Sequence, residues 1–495
     1  MSLIKRESIG TSIVFFIGVV LGYINLIFIY PYCLSLEQIG LLKLLLSLST
    51  FFASFVPLGG PNISIKYYPF FEKSLKDKKD FLGYLLLLPA VGYVIFLLLF
   101  FLFKEFFISI YAEQSPLIAN YFFQFFLLII FISYYRVLLG YSSSNFKTVF
   151  PAFLKEAYLR LIIPIGLFAY FFNWVSFEMA INLIVGFYFS VTFLLVIYLA
   201  IQKNFKFSFT KSFYSNKATQ TELFKYGTFV MLSNSGQIIV QNLDIMMVGA
   251  FLGLADTGIY SVVYIIGQVV EIPKRAISRI SAAVIAKKWE EGKQEDIKSI
   301  YQKSSLTNII LGGFIFIGIW ICLPDLFTLM PQGDSFKEGI YVVLFIGMSK
   351  LFSMLMGNNG EILMTSKYYW FTFIATLILS VATFATNYIL IPLYGINGAA
   401  FATLLSVVLF NLALSGFLLF KFKFNPITIN TFFAILFLAF LFLLGINIPS
   451  FSSAIVSIVI KSTIVSVAFL IGIYYLPISE DLRNLMKEKL KKFLG

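Results

Sequence analysis

The sequence predicts an all-α polytopic membrane protein, and three observations carry that prediction. Of its 495 residues, 59% are hydrophobic and only 12% charged, with a mean hydropathy of +0.91. Apolar blocks of about 20 residues, the length that crosses bilayer hydrocarbon, recur along the whole chain. Most of them lack the polar stripe at helical period that a soluble helix shows. Basic residues, finally, gather in alternate loops.

Taken in order, the expected spans are Gly10–Tyr32, Ile39–Val56, Phe81–Phe103, Leu117–Leu139, Val149–Phe172 and Glu178–Ile201. A polar, basic linker follows at Gln202–Glu222. Six more spans read Leu223–Gly249, Gly258–Ala286, Ser304–Leu323, Glu338–Gly357, Tyr368–Ile391 and Asn397–Phe420, and a last pair covers Ile429–Asn447 and Ser453–Leu476. The expected organisation is therefore about fourteen transmembrane helices. They form an N-lobe (1–201), a linker (202–222), a C-lobe (223–420), an extra pair (421–476) and a basic tail (477–495). Gly10–Tyr32 follows Lys5 and Arg6, is too long for a signal-peptide core and lacks a small-residue cleavage site, so it reads as the first span.

Lys and Arg mark the cytoplasmic loops of membrane proteins. Most of the 37 basic residues fall on one side: the N-terminus, Lys66–Lys79, Lys147, Lys203–Lys217, Lys274–Lys303, Lys367, Lys421, Lys423 and the tail. The opposite side has Lys104 and Lys337. Both termini are thus expected in the cytoplasm, and the net charge of +13 reflects topology rather than a nucleic-acid surface.

A shift of 218 residues pairs Leu34 with Leu252, Leu36 with Leu254 and Gly40 with Gly258. The match falls between spans one and two and between spans seven and eight. Six spans per half is an even number, so both halves enter from the same side, as a parallel repeat about an axis along the membrane normal. Two six-helix lobes related by a pseudo-two-fold axis around a central cleft are expected.

Polar groups inside hydrocarbon are costly and usually face a protein or water-filled interior. By that criterion Gln241, Asn242 and Asp244 on span seven, and Gln268, Glu271, Arg275 and Arg279 on span eight, are candidates to line the cleft. The last four, spaced by 3, 4 and 4 residues, are expected on one helical face. Arg160 lies about 11 residues into its span, near mid-bilayer at about 1.5 Å per residue, with Glu156 one turn away. It is either the partner of Glu156, an anion ligand, or both. Lys350 lies at similar depth with no acidic residue within four positions, and Lys461 repeats the pattern in the extra pair. Asp244, Glu271 and Glu156 are the candidates for coupling to Na+ or H+. In span two, Pro57, Gly59, Gly60 and Pro61 break the helix. Such a break lines a cavity or starts an amphipathic extension, Asn62–Phe71, beside Lys66, Lys73, Lys76, Lys78 and Lys79.

An Asp near the end of an apolar helix (Asp244), a short Gly turn and Gly258-Ile259-Tyr260 opening the next helix resemble the polysaccharide exporters. These belong to the multidrug, oligosaccharidyl-lipid and polysaccharide exporter superfamily. The Gly-Pro break and basic patch of Gly59–Lys79 and the run Gly395-Ile396-Asn397-Gly398-Ala399-Ala400 fit the same family. The resemblance implies a flippase for an undecaprenyl-pyrophosphate-linked oligosaccharide in a bacterial cytoplasmic membrane. It would serve a surface glycan such as O-antigen or capsule, alongside a polysaccharide polymerase machinery. A flippase for the peptidoglycan precursor and a cation-coupled drug exporter of the same superfamily are the alternatives.

The residues themselves point away from catalysis. With no His and two Cys, neither a Cys/His zinc site nor a His acid–base centre can be built. Cys33 and Cys322, near the outer ends of their helices, read as apolar thiols, with a disulfide between them the alternative. No GxxxxGK[ST] motif for nucleotide phosphates occurs, and the outer loops are too short to carry a polymerase centre. Transport without a catalytic residue, a metal or a cofactor is the expectation, with membrane lipids as the surroundings.

Overall fold

The computed structural model describes the backbone of residues 3–72 and 74–494, and their side chains except those of 3–5, 8, 212, 233–237, 239, 485 and 489–494. Lys73, the side chain of Lys5 and the tail side chains from Lys489 thus lie outside the described residues. Helix follows helix, with no strand among the described residues: the chain is an all-α, multi-pass membrane protein. Nine helices among the described residues are long and apolar enough to cross a membrane. One of them, Tyr369–Phe422, is two helices joined at Gly395, whose φ of 59° and ψ of −143° only glycine adopts readily. This accounts for the Gly395–Ala400 motif. The bend also brings Gly398 so close to the Leu390 carbonyl that a Cβ there would sit 2.0 Å from it.

The other expected spans are helical as well, but shorter or more polar. They are Leu36–Phe52, the run from Val149 to Phe171, Lys217–Phe251 and the run from Leu254 to Glu290. The Gly turn after Phe251 is shorter than the sequence suggests: the next helix opens at Leu254 rather than at Gly258.

By internal contacts the chain divides into two compact units, 1–258 and 259–495. In the first, Leu44, Leu48, Phe96, Phe125, Leu128 and Ile181 form one apolar core joining the helices Leu36–Phe52, Leu75–Leu102, Phe122–Ser144 and Phe177–Ile201. Ser35 opens the helix Leu36–Phe52 with a capping box: its hydroxyl accepts from the Gln38 N–H, and the Gln38 side chain accepts from the Ser35 N–H. The two glycines that the 218-residue shift pairs lie against reciprocal carbonyls. A Cβ at Gly40 would meet the Leu254 oxygen at 1.8 Å, and one at Gly258 would meet the Leu36 oxygen at 2.2 Å. Small residues at these positions let backbones touch.

In the second unit, Ile310, Ile317, Leu441, Val465 and Phe469 join the helices Gln294–Leu329, Ile429–Ile446 and Ala454–Tyr475. A separate core holds Ile297, Tyr301, Ile362 and Leu418. Beside it, the buried Tyr301 hydroxyl pairs with Ser415 at 3.0 Å, and the Asn359 amide donates to Asn411 and Ser415 at 3.1 Å each. Both cysteines are buried and free.

Candidate functional site

In the first unit the charged group is built by two π-helical turns. Asn25–Ile29 interrupts the first helix, and Leu154–Tyr158 interrupts the fifth span just before Arg160. Such turns widen a helix locally and often mark functional positions. The Asn25 amide donates to the Arg160 carbonyl at 2.6 Å, satisfying an acceptor whose helical donor position is taken by Pro164, which has no N–H. Gly18 and Gly22, four residues apart on the first helix, face the same place. A Cβ at Gly18 would meet the Glu156 carbonyl oxygen at 2.5 Å, and one at Gly22 would meet the Arg160 guanidinium at 3.1 Å. The first helix therefore presents a glycine groove that admits the Glu156–Arg160 turn.

Within that groove Arg160 donates to Glu156 at 2.9 Å, and Lys155 lies 3.8 Å from the same carboxylate. The pair is only partly covered, with side-chain exposures of 31% for Arg160 and 18% for Glu156, so a further anion can reach the guanidinium. Two more cations belong to this region, and sequence reasoning missed both. Lys43 lies in the helix Leu36–Phe52, over the Tyr30 ring at 5.3 Å, within electrostatic reach of Arg160. Arg136 lies in the helix Phe122–Ser144, within electrostatic reach of Lys155. Each is a lone basic residue in an apolar span, the same signal that singled out Lys350. Glu156 thus pairs with Arg160 and Lys155, with Lys43 and Arg136 on neighbouring helices within electrostatic reach of those two cations.

Span seven contributes less than expected. Asp244 is buried, at 2% exposure. Asn242 turns its amide back to its own helix, donating to the Ile238 carbonyl at 2.8 Å, and Gln241 is exposed.

In the second unit Lys350 finds its partner in Glu271, at 3.4 Å. Glu271 also accepts from Arg275 at 3.1 Å, so one carboxylate oxygen holds two cations from two helices. Lys274 instead donates to Ser353, at 2.8 Å to its carbonyl and 2.7 Å to its hydroxyl. The expected single face of Gln268, Glu271, Arg275 and Arg279 is interrupted. The helix ends at Gln268, a 3-10 turn spans Val269–Glu271, and a new helix starts at Ile272. The cause is Pro273, which has no N–H to continue the ladder and is tolerated only in the first turn of a helix. Gln268 is half-buried, while Arg275 and Arg279 are exposed. Lys461 is spent on structure: buried, it donates to Asp325 at 2.8 Å and to Ser450 at 3.0 Å.

The break in span two is a cavity wall. Residues 53–59 leave the helix, Leu58 and Gly59 take φ of 47° and 78°, and a new helix, Gly60–Phe71, turns Ile63, Ser64, Tyr67 and Tyr68 inward. The Tyr67 hydroxyl donates to Glu222 at 2.8 Å. Burial and that carboxylate push the phenol up to about 12.

An all-helical, multi-pass chain with ion pairs beside broken and widened helices has the architecture of a membrane transporter. A family model described as "Polysaccharide biosynthesis protein" matches residues 4–285, more than half the sequence, and the chain belongs to that family. Two curated relatives are similar over part of their length. The "Probable low-salt glycan biosynthesis flippase Agl15" of Haloferax volcanii is 25% identical over 209 residues, 41% of this chain and 44% of the relative. The "Teichuronic acid biosynthesis protein TuaB" of Bacillus subtilis is 22% identical over 156 residues, 30% and 32% of the two chains. The match therefore spans less than half of either relative. Among solved structures, the lipid II flippase MurJ in an inward closed conformation superposes with a TM-score of 0.72 at 15% identity, covering 95% of this chain and 99% of that one. An inward-facing multidrug resistance MATE family transporter of the MOP superfamily gives 0.53 at 12% identity, covering 86% and 98%. The chain has their fold.

Proposed function

We propose that this protein is a flippase. It moves an oligosaccharide linked to undecaprenyl pyrophosphate from the cytoplasmic to the outer leaflet of a bacterial cytoplasmic membrane, by alternating access, for a surface polysaccharide such as O-antigen or capsule. The observation that supports it most is the excess of cations in the spans of the first unit: Glu156 pairs with Arg160 and Lys155, and Lys43 and Arg136 lie within electrostatic reach of those two. A basic side chain in mid-bilayer costs about 2.5–3.5 kcal/mol on insertion scales, and such a surplus is compensated when an anion binds. A pyrophosphate crossing the membrane needs that compensation. An inside-negative potential also favours outward movement of its charge, by about 2.3 kcal/mol per charge per 100 mV. A drug exporter for cationic substrates would be served by the opposite balance.

In this reading Arg160 and Lys350 grip the pyrophosphate, with Gln268, Arg275, Arg279, Gln241 and Asn242 along its path. Na+ or H+ exchange at Asp244, Glu271 or Glu156 resets the carrier. Both termini are cytoplasmic, the two lobes are the moving parts, and no bond is made or broken. The test is reconstitution. Proteoliposomes with the full chain should move a fluorescent undecaprenyl-pyrophosphate oligosaccharide out of reach of an added glycan-cleaving enzyme, and liposomes without it should not. Movement of the peptidoglycan precursor instead would establish the alternative flippase reading, and movement of neither would reject both. Topology is tested separately. Cysteines placed in Gln202–Glu222 or after Pro477 should react only after permeabilisation, whereas one at Gln332–Asp334 should react in intact spheroplasts.

A further inference from the structure

Arg136 does something that the Arg160 site does not explain. Its guanidinium donates to the Ala53 carbonyl at 3.1 Å, where the helix Leu36–Phe52 stops. Among the described residues no carboxylate lies within ion-pair distance of it. Every other arginine or lysine discussed above at bilayer depth, Lys43 excepted, has a carboxylate or serine oxygen to hold it. Arg136 instead lines a pocket of about 320 Å³ between the break and the helix Phe122–Ser144. Ser54, Asn62 and Ser143 supply its other polar side chains, and Met231 and Ile238 close one wall. Among the described residues, no Asp or Glu lines it.

The backbone is shaped to leave this space. Gly59 can adopt its φ of 78° without strain, and a Cβ there would meet the Gly227 carbonyl at 2.2 Å. A Cβ at Gly140 would meet the Pro61 backbone at 2.7 Å. The chain is thus drawn tight around the pocket while the pocket itself stays open. A guanidinium presents a planar fork of donors that matches phosphate oxygens, and hydroxyl and amide groups can complete their coordination.

We propose that this pocket is a second phosphate-binding site, separate from Arg160, in which Arg136 grips a phosphate or pyrophosphate group with Ser54, Asn62 and Ser143 beside it. Arg136 lies towards the end of its span that the basic loops mark as cytoplasmic, so the group it takes is one presented from that leaflet. Arg136 is then where a phosphate-bearing substrate is first held, before the charges deeper in the first unit. The choice of a polyprenyl lipid as probe rests on the proposed flippase reading; the site itself does not.

The test is protection of a cysteine at Ser143. The full-length chain, with Cys33 and Cys322 replaced by Ala and carrying Ser143→Cys, is placed in phosphatidylcholine nanodiscs and alkylated with N-ethylmaleimide. Undecaprenyl phosphate should slow alkylation at least fivefold. Equal protection by inorganic pyrophosphate would show that the site reads the phosphate group alone. Protection by undecaprenyl phosphate but not by pyrophosphate would show that it reads a membrane-borne headgroup, and equal protection by phosphatidylglycerol would make that headgroup any lipid phosphate. In each case Arg136→Gln should abolish protection and Arg136→Lys should weaken it. If Arg136→Gln does not fold, Asn62→Leu, which fills the opposite wall, is read in its place. Protection that survives these changes, or no protection by any of the three compounds, overturns the site. Alkylation is read without transport, so a chain that binds phosphate but moves no glycan would reject the flippase reading and leave this site standing.

Discussion

The ionic groups of the two units are built on opposite plans. In the first, Glu156 and Arg160 come from adjoining turns of one widened helix, and two further cations, Lys43 and Arg136, have no carboxylate partner among the described residues. In the second, Lys350 crosses from another helix to share Glu271 with Arg275, and Lys274 is held by Ser353. The first arrangement stays within one helix and leaves Lys43 and Arg136 outside any ion pair among the described residues. The second is closer to balance and fastens two helices together. One carboxylate can therefore pair along a single helix in one place and tie two helices together in another, and where its cations come from decides which.

The largest effect is expected at Glu271. Its removal strands Lys350, whose side chain is only 15% exposed, and breaking a buried pair from one side costs about 3–5 kcal/mol. Glu271→Leu should lower the melting temperature in detergent sharply, and adding Lys350→Met should restore most of it. If the single and double variants melt alike, the second unit's pair is no lock.

A smaller loss, about 1–3 kcal/mol for overpacking, is expected from Gly18→Leu, because the Glu156 carbonyl already lies 2.5 Å from where a Cβ would be. Here transport should fall further than stability, since the turn that carries Arg160 must move. Transport that keeps pace with the remaining folded protein would show that the groove is packing alone.

Smaller again is Lys350→Met, at about 1 kcal/mol or less, because Arg275 still holds Glu271 at 3.1 Å and partly exposed pairs are weak. Transport should fall beyond that stability change, because Lys350 is proposed to grip the pyrophosphate; transport that keeps pace with the folded protein would take Lys350 out of the site. The least effect belongs to Lys461→Met with Asp325→Leu. Replacing both members of a buried pair with apolar groups is near neutral or stabilising, and transport should be unchanged. A transport defect in that variant would move this pair from structure to mechanism.

The helices were legible because hydrocarbon imposes a length and a composition, and the Arg160–Glu156 pair was legible because it is one helical turn. Lys350 showed in the sequence only as a cation without a local carboxylate, and nothing there named Glu271, since contacts between helices leave no local spacing. The stripe from Gln268 to Arg279 was overdrawn by taking spacing alone and passing over Pro273. Lys43 and Arg136 showed the same isolated-cation signal as Lys350 but were absorbed into the topology count. The glycine groove at Gly18 and Gly22 was hidden because small residues in a span also fit a lipid-facing surface.

The most direct test of the central claim, that Arg160 is held by Glu156 but serves an anion, is a double substitution. Flipping of the lipid-linked oligosaccharide is measured for Arg160→Ala, Glu156→Ala and the two together, at matched levels of folded protein in the membrane. The account predicts at least a tenfold loss for Arg160→Ala that persists in the double variant, and a partial loss for Arg160→Lys, whose ammonium lacks the planar fork. Recovery of flipping in the double variant would contradict it and leave Arg160 as the neutraliser of Glu156.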